Sequence, residues 1–240
     1  MTINFAIGKS LSYLLDKTLK YKFLGLQKLL PFGIHSNNDI RKIMHNKNLI
    51  IFDVGANIGN TVIDYKSFFP TSTIYCFEPV TYTYELLVEN TKKLKSVNCF
   101  NFALGNKDEQ IEIVLSKNSE LNSLLNTSNL RDREVEKIEV KRLDDFCIIN
   151  EIKQIDLLKI DVEGFEIMVL EGCGTELLKT IKAIYVEVGF VESDRLKTNF
   201  RDLDTYLNKS GFTICNFYDN FRWGEHKKWL GFANALYIKK

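Results

Sequence analysis

The sequence predicts an α/β domain built on a doubly wound, largely parallel sheet. Three observations carry this. Apolar runs at residues 49–54, 73–77 and 97–102 read as strands buried on both faces. The segments between them repeat apolar residues at helical spacing. Strand, helix, strand, helix and strand thus succeed one another within about 55 residues, which implies right-handed crossovers and parallel pairing.

The elements follow in order. Leu49-Ile50-Ile51-Phe52-Asp53-Val54 is the first strand and stops at Gly55. A helix over residues 57–68 buries Ile58, Val62, Tyr65 and Phe69, and Pro70 ends it. The second strand, residues 73–77, runs into Glu78-Pro79. A helix over residues 81–94 then buries Tyr84, Leu87, Val88 and Leu94, before a third strand over residues 97–102. The rhythm breaks over residues 108–143. Ile111, Ile113 and Leu115 alternate with polar residues, as in a half-exposed antiparallel strand, and residues 135–140 form a second one. Between them, residues 116–132 are rich in Asn and Ser and read as a mobile loop. Two readings of it compete: a cover over the site, with Ser123-Leu124-Leu125 touching a ligand, and an ordinary surface loop. Strands at residues 155–160, 181–188, 212–218 and 233–238 follow, with helices at residues 164–170 and 200–209.

The first 47 residues stand apart as a helical extension, leaving residues 48–240 as the main domain. Residues 5–30 carry leucines and Phe23 near the helical period, interleaved with lysines. Such a helix packs on the main domain or a second copy, or lies on the inner membrane face as a basic amphipathic segment. The expected location is cytoplasmic, with that peripheral contact as the alternative. No apolar run reaches the length of a membrane-spanning helix. Five scattered cysteines without a Cys-x-x-Cys pair read as reduced thiols and exclude a zinc signature. A formal net charge of +1 argues against a nucleic-acid partner.

The chemistry concentrates at strand ends. Asp53-Val54-Gly55-Ala56-Asn57-Ile58-Gly59-Asn60 stands where a strand hands over to a helix. Such a turn presents backbone N–H groups at the carboxyl edge of the sheet. Gly55 and Gly59 permit close approach of a ligand, and Asp53 is expected to face the same crevice. Glu78, at the end of the second strand, is placed to accept both hydroxyls of a ribose. A dinucleotide fingerprint needs a glycine where Asn57 stands. A ligand with an ammonium and carboxylate at one end and a ribose at the other fits better, and S-adenosylmethionine is such a ligand. A nicotinamide cofactor is the competing reading.

Further along, Asp161-Val162-Glu163-Gly164-x-Glu166 lies at the mouth of the fourth parallel strand, opposite the glycine turn. Asp161 is the first candidate to orient or deprotonate an acceptor, Glu163 the second and Glu187, ending the next strand, the third. Each has a plainer reading, as a partner of Lys159 or a helix cap, and Glu166 is expected to point outward. Clustered carboxylates also suit magnesium, but nothing in the sequence demands a metal and none is expected. Trp223-Gly224-Glu225-His226-Lys227-Lys228-Trp229 offers aromatic faces for sugar stacking and His226 as a base, against the alternative of an exposed hairpin.

Taken together, Phe52-Asp53-Val54-Gly55-Ala56-Asn57-Ile58-Gly59, Phe77-Glu78-Pro79, Asn101-Phe102-Ala103-Leu104-Gly105 and Leu158 through Glu166 resemble the FkbM-type methyltransferases. The resemblance runs from about residue 48 to the end of the chain. It implies a Rossmann-like class I methyltransferase sheet of seven strands, the last antiparallel, and O-methylation of a hydroxyl. It further implies that Asp53, Gly55, Asn57 and Gly59 hold the methionine part of S-adenosylmethionine, Glu78 its ribose, and Asn101 and Ala103 its adenine. The acceptor it implies is a saccharide or other secondary metabolite. Lipid, polyketide or other small-molecule acceptors remain the alternative, as does a non-catalytic cofactor-binding subunit, against which Asp161 and Glu163 argue.

Overall fold

The computed structural model describes residues 31–45, 48–115, 135–194 and 196–240. The stretch 5–30, the Asn/Ser-rich stretch 116–132 and Ser123-Leu124-Leu125 therefore lie outside the described residues. Seven strands form one sheet in the order β3-β2-β1-β7-β8-β10-β9. They are β1 (Ile50–Val54), β2 (Thr73–Phe77), β3 (Val97–Phe100), β7 (Ile155–Ile160), β8 (Ile181–Gly189), β9 (Phe212–Trp223) and β10 (Trp229–Lys239). The pairs from β3 across to β8 are parallel, while β10 runs antiparallel to both β8 and β9. β7 is buried at every position, which is why its sequence reads as a continuous apolar run.

Helices cover both faces of this sheet. On one face, α1 (Ser36–Met44), α2 (Asn60–Phe68) and α3 (Thr81–Thr91) contribute Ile40, Val62, Tyr65, Phe68 and Leu87 to a shared core. On the other, α4 (Leu143–Ile149), α5 (Glu166–Glu171), α6 (Gly174–Thr180) and α7 (Phe200–Lys209) bring Phe146, Val169, Leu178, Leu203 and Leu207. Phe146 of α4 drives its ring edge-on into the faces of Phe77 and Phe100, at centroid distances of 5.0 and 4.9 Å. It therefore clamps the β1–β2–β3 side of the sheet. Asp39 ties α1 to the rest, accepting bonds from the Gly33 amide at 2.6 Å and the Tyr218 hydroxyl at 2.8 Å. Among the described residues no helix is long and apolar enough to cross a membrane.

The irregular middle of the chain makes a second sheet in the order β4-β6-β5. β5 (Glu109–Val114) and β6 (Val135–Arg142) are antiparallel, as the alternation of Ile111 and Ile113 predicts. β4 (Ala103–Gly105) was not expected: the run over residues 97–102 ends as β3 at Phe100, and the chain then pairs Ala103 with Val140 of β6. α2 starts at Asn60 rather than at 57, because Gly55, Asn57 and Gly59 all adopt left-handed backbone that no helix can hold. The α4 and α6 segments are only seven residues each, too short to display a period in sequence. β9 runs five residues and β10 four residues past their expected inner ends, as one long hairpin.

Phe146→Ala is expected to cost about 3–5 kcal/mol, the usual range for emptying a buried aromatic site. Urea unfolding should show a lower midpoint with an unchanged slope.

Candidate active site

The carboxyl ends of β2, β1, β7 and β8 open onto a cleft of about 510 Å³. Of the residues singled out in the sequence, Gly55, Asn57, Glu78, Ala103, Asp161, Glu163 and Glu187 line it. The β1–α2 turn forms one wall. At Gly55, φ is +75° and an added Cβ would meet the carbonyl oxygen of Asp161 at 1.9 Å. Only glycine lets the ends of β1 and β7 close this tightly. Gly59 shapes the same turn without lining the cleft; its amide bonds the Ala56 carbonyl at 2.9 Å.

Glu78 sits at the end of β2, buried and braced. It accepts the Asn57 amide on Oε2 at 3.0 Å and the Val80 amide on Oε1 at 3.1 Å. Each oxygen keeps a lone pair for a ligand hydroxyl. Burial pushes this carboxyl up to about 7, although the two amides favour its charged form. Val80, Ala103, Leu104 and Ile113 supply an apolar wall beside it. This set fits S-adenosylmethionine: paired acceptors for the ribose, an apolar wall for the adenine and backbone of the glycine turn for the amino-acid end.

Several expectations need correction. Asp53 does not face the cleft. It is fully buried, and Lys159 stands over it with Nζ 3.0 Å from Oδ1. The pairing follows from register, since Asp53 of β1 is directly opposite Lys159 of β7. Lys159 also approaches Asp161 Oδ2 at 3.6 Å and donates to the Gly55 carbonyl at 2.9 Å. Burial works to lower the lysine, but Asp53 and Asp161 outweigh it, so Lys159 is raised and stays charged. Asn101 does not line the cleft either; its side-chain amide donates to the carbonyls of Glu78 and Pro79 at 3.0 and 2.9 Å and holds that turn in place. Glu166, expected outward, is fully buried; it accepts the Val162 and Gly164 amides at 3.2 Å and the Thr198 hydroxyl. His226 stands exposed on a single 3-10 turn at the hairpin tip, 3.5 Å from Glu225, and does not reach the cleft. It is not the base.

At the β7–β8 end, Asp161, Glu163 and Glu187 converge. Lys197 bridges the last two, with Nζ 2.6 Å from Glu163 Oε2 and in contact with Glu187 Oε2. Burial raises Glu163 to about 7 against the pull of Lys197, and raises Glu187 in the same sense. Phe232 of β10 completes this end and stacks on Phe221, with ring centroids 4.7 Å apart. Sequence reasoning missed Lys159, Lys197 and Phe232 as site residues. Lys159 alone left a trace: a lysine inside a strand otherwise fit for complete burial.

Comparison with known proteins identifies the family. The methyltransferase FkbM domain matches residues 53–214, more than half of the chain. Methyltransferase 1 of Beauveria bassiana (strain ARSEF 2860) is 28% identical over 185 residues, covering 69% of this chain and 72% of that protein. The 2-O-methyltransferase NoeI of Sinorhizobium fredii (strain NBRC 101917 / NGR234) is 26% identical over 165 residues, covering 63% of this chain and 68% of NoeI. The crystal structure of methyltransferase FkbM from Methylobacillus flagellatus KT superposes with a TM-score of 0.52 at 16% identity, over 80% of this chain and 44% of that one, and so shares the fold. The chain belongs to the FkbM methyltransferase family and uses S-adenosylmethionine as its cofactor.

Proposed function

We propose that this enzyme methylates a hydroxyl oxygen of a saccharide or glycoconjugate. The observation that carries the reading is the division of the cleft. Glu78 and the apolar wall occupy the β2 side, and the carboxylates Asp161, Glu163 and Glu187 the β7–β8 side. The first side suits the nucleoside. The second offers only hydrogen-bond acceptors and two ammonium groups, a set that suits an acceptor rich in hydroxyls. When bound, S-adenosylmethionine supplies an electrophilic methyl group on its sulfonium.

The chain's own residues then have separate tasks. Asp161 is the carboxylate of the trio whose side chain is most exposed to the cleft, at 39%. It accepts the acceptor's hydroxyl hydrogen and orients the oxygen. Asp161 then takes that one proton as the ether forms, while Glu163, paired with Lys197 at 2.6 Å, forms the neighbouring wall. Phe232, backed by the stacked ring of Phe221, adds an apolar aromatic boundary against which the carbon skeleton of a sugar packs. Oxygen as the target is supported by likeness to a protein named as a 2-O-methyltransferase. The same reading sets the enzyme in the cytoplasm, in keeping with five cysteines that form no disulfide.

Four measurements test this reading. In calorimetric titrations, S-adenosylhomocysteine should bind and NAD should not, and Glu78→Ala should weaken binding at least ~10-fold by removing the ribose acceptors. Binding of NAD instead would sink the cofactor assignment. Glu78 must be ionised to accept two hydroxyls, so affinity should fall as pH drops through its value near 7. A group titrating there is roughly one-tenth ionised a unit below, so binding at pH 6 should be about tenfold weaker than at pH 8. Glu78→Gln should flatten that profile. With radiolabelled S-adenosylmethionine and fractionated extract of the source cells, label should enter the saccharide fraction. Label confined to lipid would overturn the acceptor class. On that acceptor, Asp161→Ala should lower kcat by about 100-fold or more while leaving affinity for S-adenosylhomocysteine within a few-fold.

A further inference from the structure

The acceptor end of the cleft gathers more negative charge than oxygen atoms tolerate alone. Asp161, Glu163 and Glu187 each offer an oxygen, and these lie within 4.8 Å of one another. Three carboxylate oxygens so placed repel one another and form the donor set that a hard divalent cation takes. In this chain an ammonium already stands there. Lys197 Nζ contacts both Glu163 and Glu187, and its side chain is 12% exposed.

The local backbone delivers this lysine. Gly189 ends β8, and its amide donates to the Thr198 carbonyl at 2.8 Å. The Thr198 hydroxyl is in turn fixed on buried Glu166. An added Cβ on Gly189 would meet Lys197 Cβ at 2.7 Å, so the missing side chain is what lets the lysine stem run against the strand end. The ammonium also lies 5.1 Å from the centre of the Phe232 ring, whose face favours a cation. Burial alone would lower Lys197, but the two glutamates raise it, so it remains charged. A divalent ion seated on the same oxygens would face this ammonium at close range in a partly dry site, where repulsion is strong.

We infer that Lys197 is the chain's own cation at the acceptor end, standing where a divalent metal would bind and making the transfer independent of one. The inference rests on the reading of the carboxylate trio as the acceptor end, but its test needs no acceptor. The probe is manganese, followed by the electron paramagnetic resonance signal of the free ion in a solution of the full chain at neutral pH. The wild-type protein should bind manganese no tighter than the millimolar range. Lys197→Met, shown by circular dichroism to be folded, should bind at least ~10-fold tighter once the competing charge is gone. Gly189→Ala crowds the lysine stem while leaving every charge in place, and should shift binding in the same direction by less. Micromolar binding by the wild-type protein would overturn the inference, and so would a folded Lys197→Met that gains no affinity. Should Lys197→Met not fold, the wild-type and Gly189→Ala titrations decide. Failure here with intact binding of S-adenosylhomocysteine would leave the cofactor reading standing.

Discussion

The buried pair of Asp53 and Lys159 organises the cleft. It joins the two central strands at their carboxyl ends, directly across the β1–β7 register. A buried ion pair is a poor source of stability, because desolvating two charges consumes most of their attraction. What it gives here is position. The ammonium has donors left after meeting Asp53, and it spends them on the Gly55 carbonyl and on Asp161. One side chain thus fixes the cofactor turn on β1 and the acceptor-side carboxylate on β7 in a single frame. Gly55 completes the constraint, since its missing Cβ allows the two strand ends to touch. Loss of either partner would strand the other charge in the core, at a cost of about 3–5 kcal/mol.

That frame also sets the sign of the field in the cleft. Glu78, Asp161, Glu163 and Glu187 line it, with Asp53 beneath, against the ammonium groups of Lys159 and Lys197. The surplus is negative, and burial answers it in part by raising Glu78 and Glu163 to about 7. A sulfonium cofactor carries positive charge and meets a favourable potential there. A pyrophosphate would meet the opposite. Asn57, standing where a dinucleotide turn needs glycine, already disfavours the pyrophosphate. The charges around the turn act in the same direction.

Much of this was legible in the sequence, for definable reasons. Buried parallel strands need continuous apolar runs, so β1, β2, β7 and β8 announce themselves. The glycine turn and Glu78 stand out because chemistry at strand ends breaks that pattern locally. What escaped depends on which strands become neighbours. Asp53 reads as a ligand contact until β7 sets Lys159 opposite it. Glu166 reads as an exposed helix residue until the chain turns back and brings Thr198 to it. Asn101 reads as an adenine contact until its amide is found spent on the carbonyls of Glu78 and Pro79. His226 carries suggestive chemistry, but it stands exposed at the hairpin tip and does not line the cleft. Spacing records local geometry; it does not record tertiary partners.

The two ends of the cleft are built in different ways, and this bears on how acceptor choice arises. The cofactor end is made of backbone: the turn after β1, the amides of Asn57 and Val80 on Glu78, and the small sheet that presents Ala103 and Ile113. Beyond Asp161 and Glu163, which follow β7, the other end is made of side-chain tips on β8, β10 and residues 196–199, whose backbone is secured separately through Gly189 and Glu166. Glu187, Lys197 and Phe232 can therefore vary without moving the glycine turn. On the proposed division of the cleft, cofactor binding is tied to the frame of the sheet and acceptor recognition to a few side chains at its edge, an arrangement in which one fold can keep its methyl donor while its acceptors change.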